Sequence, residues 1–192
     1  MDSEGLPPAF TLADAEVRGL RKDQVYAMLS SGGIERVGRG VYLRPEAIDP
    51  AFAPLAAVTA VRPDATLCLT SALVHHGLSD AIAFDSDIAI PRGVRRSAGF
   101  AHIAWHSFDR ATFTVGREHL QIAEHTTVAI YSPERTIVDC FRLIHREGDD
   151  VAHGALRRWL RRRGNSPSAL MDVAAYFPPA ESRLRRALEV LL

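Results

Sequence analysis

The sequence predicts an α+β protein built from two regions, and three observations carry that prediction. Residues 10–45 read as two short helices joined by a glycine turn and followed at once by a β-hairpin. Residues 86–131 hold four strand-like runs. From Ser132 onward the pattern is helical. The first region is placed at residues 1–48 and the second at 49–192, a small sheet closed by a C-terminal helical bundle.

The stretch "FTLADAEVRGL" opens the first helix. Thr11 is a fitting N-cap, Asp14 lies in the first turn where negative charge suits the helix dipole, and Gly19 is placed to end it. In "RKDQVYAMLSSGGI", Val25, Met28 and Leu29 recur at i, i+3 and i+4 and form one apolar stripe. Arg21, Lys22, Gln24 and Tyr26 lie largely off that stripe, and Ser30 to Gly33 stop the helix. "IERV" and "VYLR" are strand-like, and Gly38-Arg39-Gly40 between them supplies the tolerance of positive φ that a hairpin turn needs.

Helix, turn, helix, hairpin is the order of a winged helix-turn-helix, whose second helix enters the major groove while the wing follows the backbone or minor groove. That geometry assigns base reading to Arg21, Lys22, Gln24 and Tyr26, since Arg and Gln suit bidentate contacts with guanine and adenine edges. It assigns Arg36, Arg39 and Arg44 to phosphates or a narrow minor groove. Winged helices also serve as protein-interaction modules, and the residues leave that alternative open. Such a unit usually begins with a further helix. Only nine residues precede Phe10, Pro7 and Pro8 among them, so that helix is expected to be short, missing or replaced by another part of the chain.

The charge supports local binding surfaces. The chain is neutral overall, but residues 18–44 carry six basic side chains against two acidic, and residues 142–163 carry seven against three. Two windows of +4 in a neutral chain point to discrete surfaces rather than to a polycation, with solvated faces as the plainer alternative. Lys22 is the only lysine, which excludes any mechanism that needs a lysine further along, including Asp-Glu-x-Lys phosphodiester cleavage. No apolar run is long enough for a spanning helix, and "MDSEGLPP" lacks the basic and apolar regions of a signal peptide. Cys68 and Cys140 sit in apolar runs and are expected to fill a core as free thiols in a reducing cytoplasm.

In the second region, "PEAIDPAFAP" reads as a linker into a helix over residues 52–61. "TSALVHHGL" reads as a short helix capped by Thr70 or Ser71 and stopped by Gly77. "DIAIP", "HIAWHSF", "HLQIAEH" and "TVAIYS" read as strands, the last two pairing as a hairpin through His125-Thr126. Ser132 caps the next helix with Pro133 at its first position and Glu134 in its first turn. Arg135 and Asp139 stand at i,i+4 and pair structurally. In "GALRRWLRRRG", Leu156, Trp159 and Leu160 form an apolar stripe, and Arg157, Arg158, Arg161 and Arg162 span roughly 140° of the remaining surface. That arc fits a nucleic-acid backbone, an acidic partner, or a solvated helix end. "ESRLRRALEVLL" is amphipathic and closes the core.

No catalytic, metal or cofactor constellation emerges. There is no P-loop, G-x-S-x-G, H-E-x-x-H, or G-x-G-x-x-G after a strand. His75 and His76 are adjacent on a helix and should point apart. His102 and His106 should share a strand face without zinc-site partners, and Asp85 and Asp87 alternate without a His or Lys at useful spacing. The scattered histidines are the whole case for a hydrolase or nuclease.

In order, "FTLADAEVRGL", "VGRGVYL", "SALVHHGL" and "SPERTIVDCFR" resemble the AbiEi antitoxins of bacterial toxin–antitoxin and abortive-infection (phage-defence) systems, over residues 10–192. The resemblance implies a winged helix followed by a mixed α/β antitoxin domain. It implies a non-enzymatic transcriptional repressor that binds inverted repeats in its own promoter, as a monomer that pairs on DNA. It also implies a partner, the AbiEii toxin, which resembles nucleotidyltransferases. Carried over by position, the DNA-binding residues are Arg21, Lys22, Arg36, Arg39 and Arg44, aided by arginines of the later helix. Related actinobacterial chains continue into a nuclease-like module that this sequence does not contain, which favours regulation. The alternative is a toxin-binding module with a degenerate winged helix that neutralises its partner by direct contact.

Overall fold

A computed structural model describes residues 5–124 and 126–191. The chain forms an α+β structure with two small sheets. Its first unit contains β1 (Ala9–Thr11), α1 (Leu12–Val17), α2 (Lys22–Ser30), β2 (Glu35–Gly38) and β3 (Val41–Leu43). The Thr11 hydroxyl accepts from the Asp14 amide at 3.2 Å, and the Asp14 carboxylate accepts from the Thr11 amide at 2.8 Å. This reciprocal cap starts α1 at the predicted place.

The three strands are antiparallel in the order β1-β3-β2, with Phe10 and Arg36 both opposite Tyr42. The sequence offered Phe10 as part of a helix start. Its pairing with a strand some 30 residues on is a long-range contact that no local pattern encodes. Phe10 stacks on Tyr42 at 5.8 Å, and Ala15, Val25 and Ile34 complete this core with the predicted α2 stripe.

The other side of the small sheet meets α3 (Ala53–Thr59). Ala9, Leu43, Ile48 and Ala56 are buried there against Val37 and Phe52. The reverse side of α3 presents Leu55 and Val58 to the second sheet. The stretch read as a linker therefore leads into a helix shared by both cores.

The larger sheet contains β4 (Thr66–Leu67), β5 (Ser86–Pro91), β6 (Ile103–Phe108), β7 (Arg117–Ala123) and β8 (Thr126–Tyr131). Its order is β6-β5-β4-β8-β7, with β5/β6 and β4/β8 parallel and the remaining pairs antiparallel. The central β4 is two residues long and was not visible in the sequence, because alternation cannot be read over two positions. The β7–β8 hairpin forms as predicted, with Thr126 already inside β8; His125 lies outside the described residues.

Leu67, Ile88, Val128 and Ile130 face α3. Cys68, Ala89 and Tyr131 face the helices α4 (Leu69–His75), α5 (Pro133–Arg142), α6 (Ile144–Glu147), α7 (Asp149–Leu160), α8 (Pro167–Ala174) and α9 (Pro178–Leu191). Both cysteines are free and buried, and burial pushes both thiols up. The predicted Thr70 or Ser71 cap is a miss: Cys68 occupies the cap position of α4, and Ser71 turns to the Asp87 carboxylate.

The start of α5 follows its sequence signature, with the Ser132 hydroxyl accepting from the Arg135 amide at 3.2 Å. The predicted Arg135–Asp139 pair forms at 2.9 Å with neither side chain exposed. Arg142 closes on the other carboxylate oxygen at 2.9 Å. Arg135 also donates to the Thr112 and Val115 carbonyls, and its guanidinium lies 4.3 Å from the Tyr131 ring centre and 4.4 Å from that of Phe177. This network ties the sheet's edge loop to the helical layer; Arg135 and Asp139 are sealed from solvent, and Arg142 reaches its edge.

Candidate functional site

The basic side chains of the first unit divide into free and committed ones. Arg21 precedes α2, and its backbone amide donates to the Gln24 side-chain oxygen at 2.8 Å. Gln24 thus caps its own helix, which withdraws its carbonyl from the predicted reading set. Arg21 also pairs loosely with Asp23, both well exposed. Lys22 stands 5.6 Å from the ring centre of Tyr26, one turn along the same face. The Tyr26 phenol neighbours that of Tyr42, which is pushed above its ordinary value by burial first and by Tyr26 second. Lys22, Tyr26, Tyr42 and Arg36 therefore run as one strip from α2 onto the hairpin.

Arg36 and Arg39 are exposed, and neither pairs with a carboxylate among the described residues. Arg44 differs. It is half-buried and donates to the Leu6 carbonyl at 2.6 Å, which holds the chain entering β1.

The hairpin turn refines the sequence reading. Gly40 has φ +73°, as the turn chemistry requires, whereas Gly38 is not left-handed. Gly38 is needed for a different reason: a Cβ there would lie 2.6 Å from the Phe100 ring. Phe100 thus seats the second unit's loop directly on the hairpin. Arg36, Arg39, Val37, Phe100 and Ala53 line a groove of about 670 Å³ at this junction.

The second basic window is not a single surface. Helix α7 ends at Leu160, so Arg161 and Arg162 lie in the turn beyond it. Arg158 pairs with Asp80, and Arg162 donates to the Gly77 carbonyl at 2.7 Å; both pin the end of α7 to the segment after α4. Arg157 joins Arg183 and Arg186 in a cleft of about 630 Å³ that also holds Asp149 and Asp150. The α9 arginines escaped notice in the sequence because their helix reads as a core-closing amphipath.

Several histidine and aspartate expectations are corrected. The His75 and His76 rings lie 5.3 Å apart and touch edge to face, and His76 Nε2 donates to the Tyr131 carbonyl at 2.7 Å. His102 precedes β6 and sits 3.6 Å from Asp85. Asp87 does have a histidine: His106 Nε2 lies 2.9 Å from its carboxylate, from the neighbouring parallel strand. The same carboxylate accepts from the Ser71 amide and hydroxyl. Serine, aspartate and histidine meet here with the aspartate in the middle and the His106 side chain 1% exposed, so the trio braces α4 against β5 and β6. A nucleophile relay needs the histidine between the other two. Sequence spacing could not pair residues whose contact depends on strand order.

No protein-family profile and no curated protein matches the chain. Among solved structures it is similar to the crystal structure of the RV2827C protein from Mycobacterium tuberculosis, with a TM-score of 0.58 and 19% identity, covering 96% of this chain and 76% of that one. At that identity the likeness shows the fold.

Proposed function

We propose that this protein is an AbiEi-like antitoxin whose first unit is a winged helix-turn-helix that binds operator DNA and represses its own operon. The observation that carries the reading is the β1–α1–α2–β2–β3 order with a β1-β3-β2 sheet, bearing exposed Arg36 and Arg39, without carboxylate partners among the described residues, on the hairpin beside Lys22 on α2. Helix α3 packs on the face of the small sheet away from α1 and α2, which braces the hairpin without replacing a helix before that pair. In this reading Arg36 and Arg39 meet phosphates or the minor groove, and Lys22 and Arg21 lie toward the major groove. Arg44 acts by shaping the unit rather than by touching DNA.

The test is fluorescence anisotropy with the repeat upstream of the gene against a random duplex of equal length. Tight binding to the repeat that weakens steeply with salt supports the reading, since neutralised phosphates release counterions. Equal affinity for both duplexes at every salt concentration removes the operator function.

A second reading, a module that neutralises a nucleotidyltransferase-like toxin by direct contact, has its own observation. Ile82 and Phe84 are 85% and 91% exposed on one short segment, which is unusual for large apolar side chains. Co-elution of the two proteins in size exclusion at micromolar concentration, lost in Phe84→Ser, supports it; separate elution counts against it.

A further inference from the structure

We propose that the groove between the hairpin, the start of α3 and the loop before β6 binds an amphipathic small molecule, an apolar body carrying one carboxylate, and that this ligand competes with DNA. The competition rests on the DNA-binding reading above; the site itself does not.

The walls are apolar: Val37 and Leu43 from the hairpin, Pro50 and Ala53 before and within α3, and Phe100 from the opposite loop. The polar side chains at the groove are Arg36, Arg39 and His102, and no carboxylate lines it. His102 is engaged with Asp85 outside the groove. Arg36, whose Nε donates to the Gly38 carbonyl at 3.4 Å, and Arg39 edge an apolar trough of about 670 Å³ with no carboxylate partner among the described residues, within the usual range for small-molecule sites. Sites of this kind concentrate where two packed units meet, as here.

The lining also selects the ligand class. A sugar or nucleotide needs several hydrogen-bonding side chains along its length, and the walls offer none between the arginines and His102. An alkyl or aryl carboxylate fits, because its body removes apolar surface from water while its headgroup takes a charge-assisted, bidentate bond from a guanidinium. Phe100 is held against Gly38, so one wall is set by the hairpin itself and the site exists without ligand. Arg36 and Arg39 are also the side chains assigned to DNA phosphates. A carboxylate that engages one of them cancels half of that charge and occupies donors the phosphates would use.

The experiment is isothermal titration of the full chain with decanoate below its micellar concentration, with decanol as the uncharged control. Saturable binding at one site per chain is expected, with decanol roughly tenfold weaker, about what loss of a charged hydrogen bond costs. Arg39→Ala should bring decanoate down toward decanol. Ala53→Phe, at a partly exposed wall position, should block both while thermal unfolding stays cooperative. Equal binding of decanoate and decanol, or binding unchanged in both variants, overturns the site. In the anisotropy assay, decanoate should raise the apparent Kd for the repeat duplex; an unchanged Kd at saturating decanoate overturns the competition. A protein that binds decanoate but no DNA keeps the site and removes both the proposed function and the competition.

Discussion

Gly116 stands at φ +65° beside the stem of Arg135, where an added Cβ would fall 2.5 Å from the Arg135 Cβ. The neighbour is not the loose end of a side chain, because Arg135 is fully buried and held by Asp139 and two carbonyls. Gly116→Ala should therefore cost about 3 kcal/mol, from left-handed strain and overpacking together. An unchanged urea midpoint would contradict that geometry. Charges at this scale divide by burial. Asp139→Asn leaves Arg135 and Arg142 without their counter-charge and should cost about 3–5 kcal/mol in chemical denaturation. Arg158→Ala breaks a pair whose aspartate is 87% exposed and should cost less than about 1 kcal/mol. Equal losses in the two variants would mean that burial does not set the difference. The Arg135–Asp139 pair was legible because i,i+4 spacing on a helix is local; Arg142, at an equally local i,i+3 from Asp139, was overlooked, and only the aromatic lining needed the tertiary structure.

At the scale of elements, α4 shows how a helix end gains a pH response. His76 is held below its ordinary 6.5, chiefly by burial and further by Arg162, against the Tyr131 carbonyl and Glu134. His75 is lowered by burial and by His76. The unfolded chain thus takes up protons at these rings before the folded chain does. Their contribution is full above about pH 6.5 and falls as the pH drops below it. In His76→Gln, whose amide can still donate to Tyr131, the loss of melting temperature between pH 7 and pH 5 should shrink. An identical pH profile in the variant would place the dependence elsewhere. Helix α2 carries a different lesson. Its apolar stripe was plain from the sequence, but the use of Gln24 as a cap depends on where α2 begins, which spacing alone leaves uncertain by a residue or two.

Across the whole molecule, the hairpin unit and the larger sheet share packing through α3 and through Phe100. Changes at the hairpin–loop contact should therefore act on both. Gly38→Ala forces the Phe100 ring aside and should cost about 1–2 kcal/mol, while lowering DNA affinity if the hairpin is a wing. Phe100→Ala in the same chain should recover part of the stability, and failure to recover any would show that the contact is not the cause. Arg39→Ala should leave the melt intact and, if the hairpin is a wing, reduce the salt dependence of the proposed DNA binding by one phosphate contact. An unaltered slope would take Arg39 out of the interface. The sequence by itself determined the α1 cap, the α2 stripe, the hairpin, the start of α5 and the burial of both cysteines, because each rests on neighbours within a turn or two. Only the tertiary structure decided that β1 pairs with β3, that a two-residue strand sits at the sheet's centre, and that Asp87 meets His106. It also decided that Arg44 and Arg158 hold the chain together while Arg36 and Arg39 stay exposed, with no carboxylate partner among the described residues. Those outcomes depend on which distant segments lie side by side, and local spacing carries no record of that.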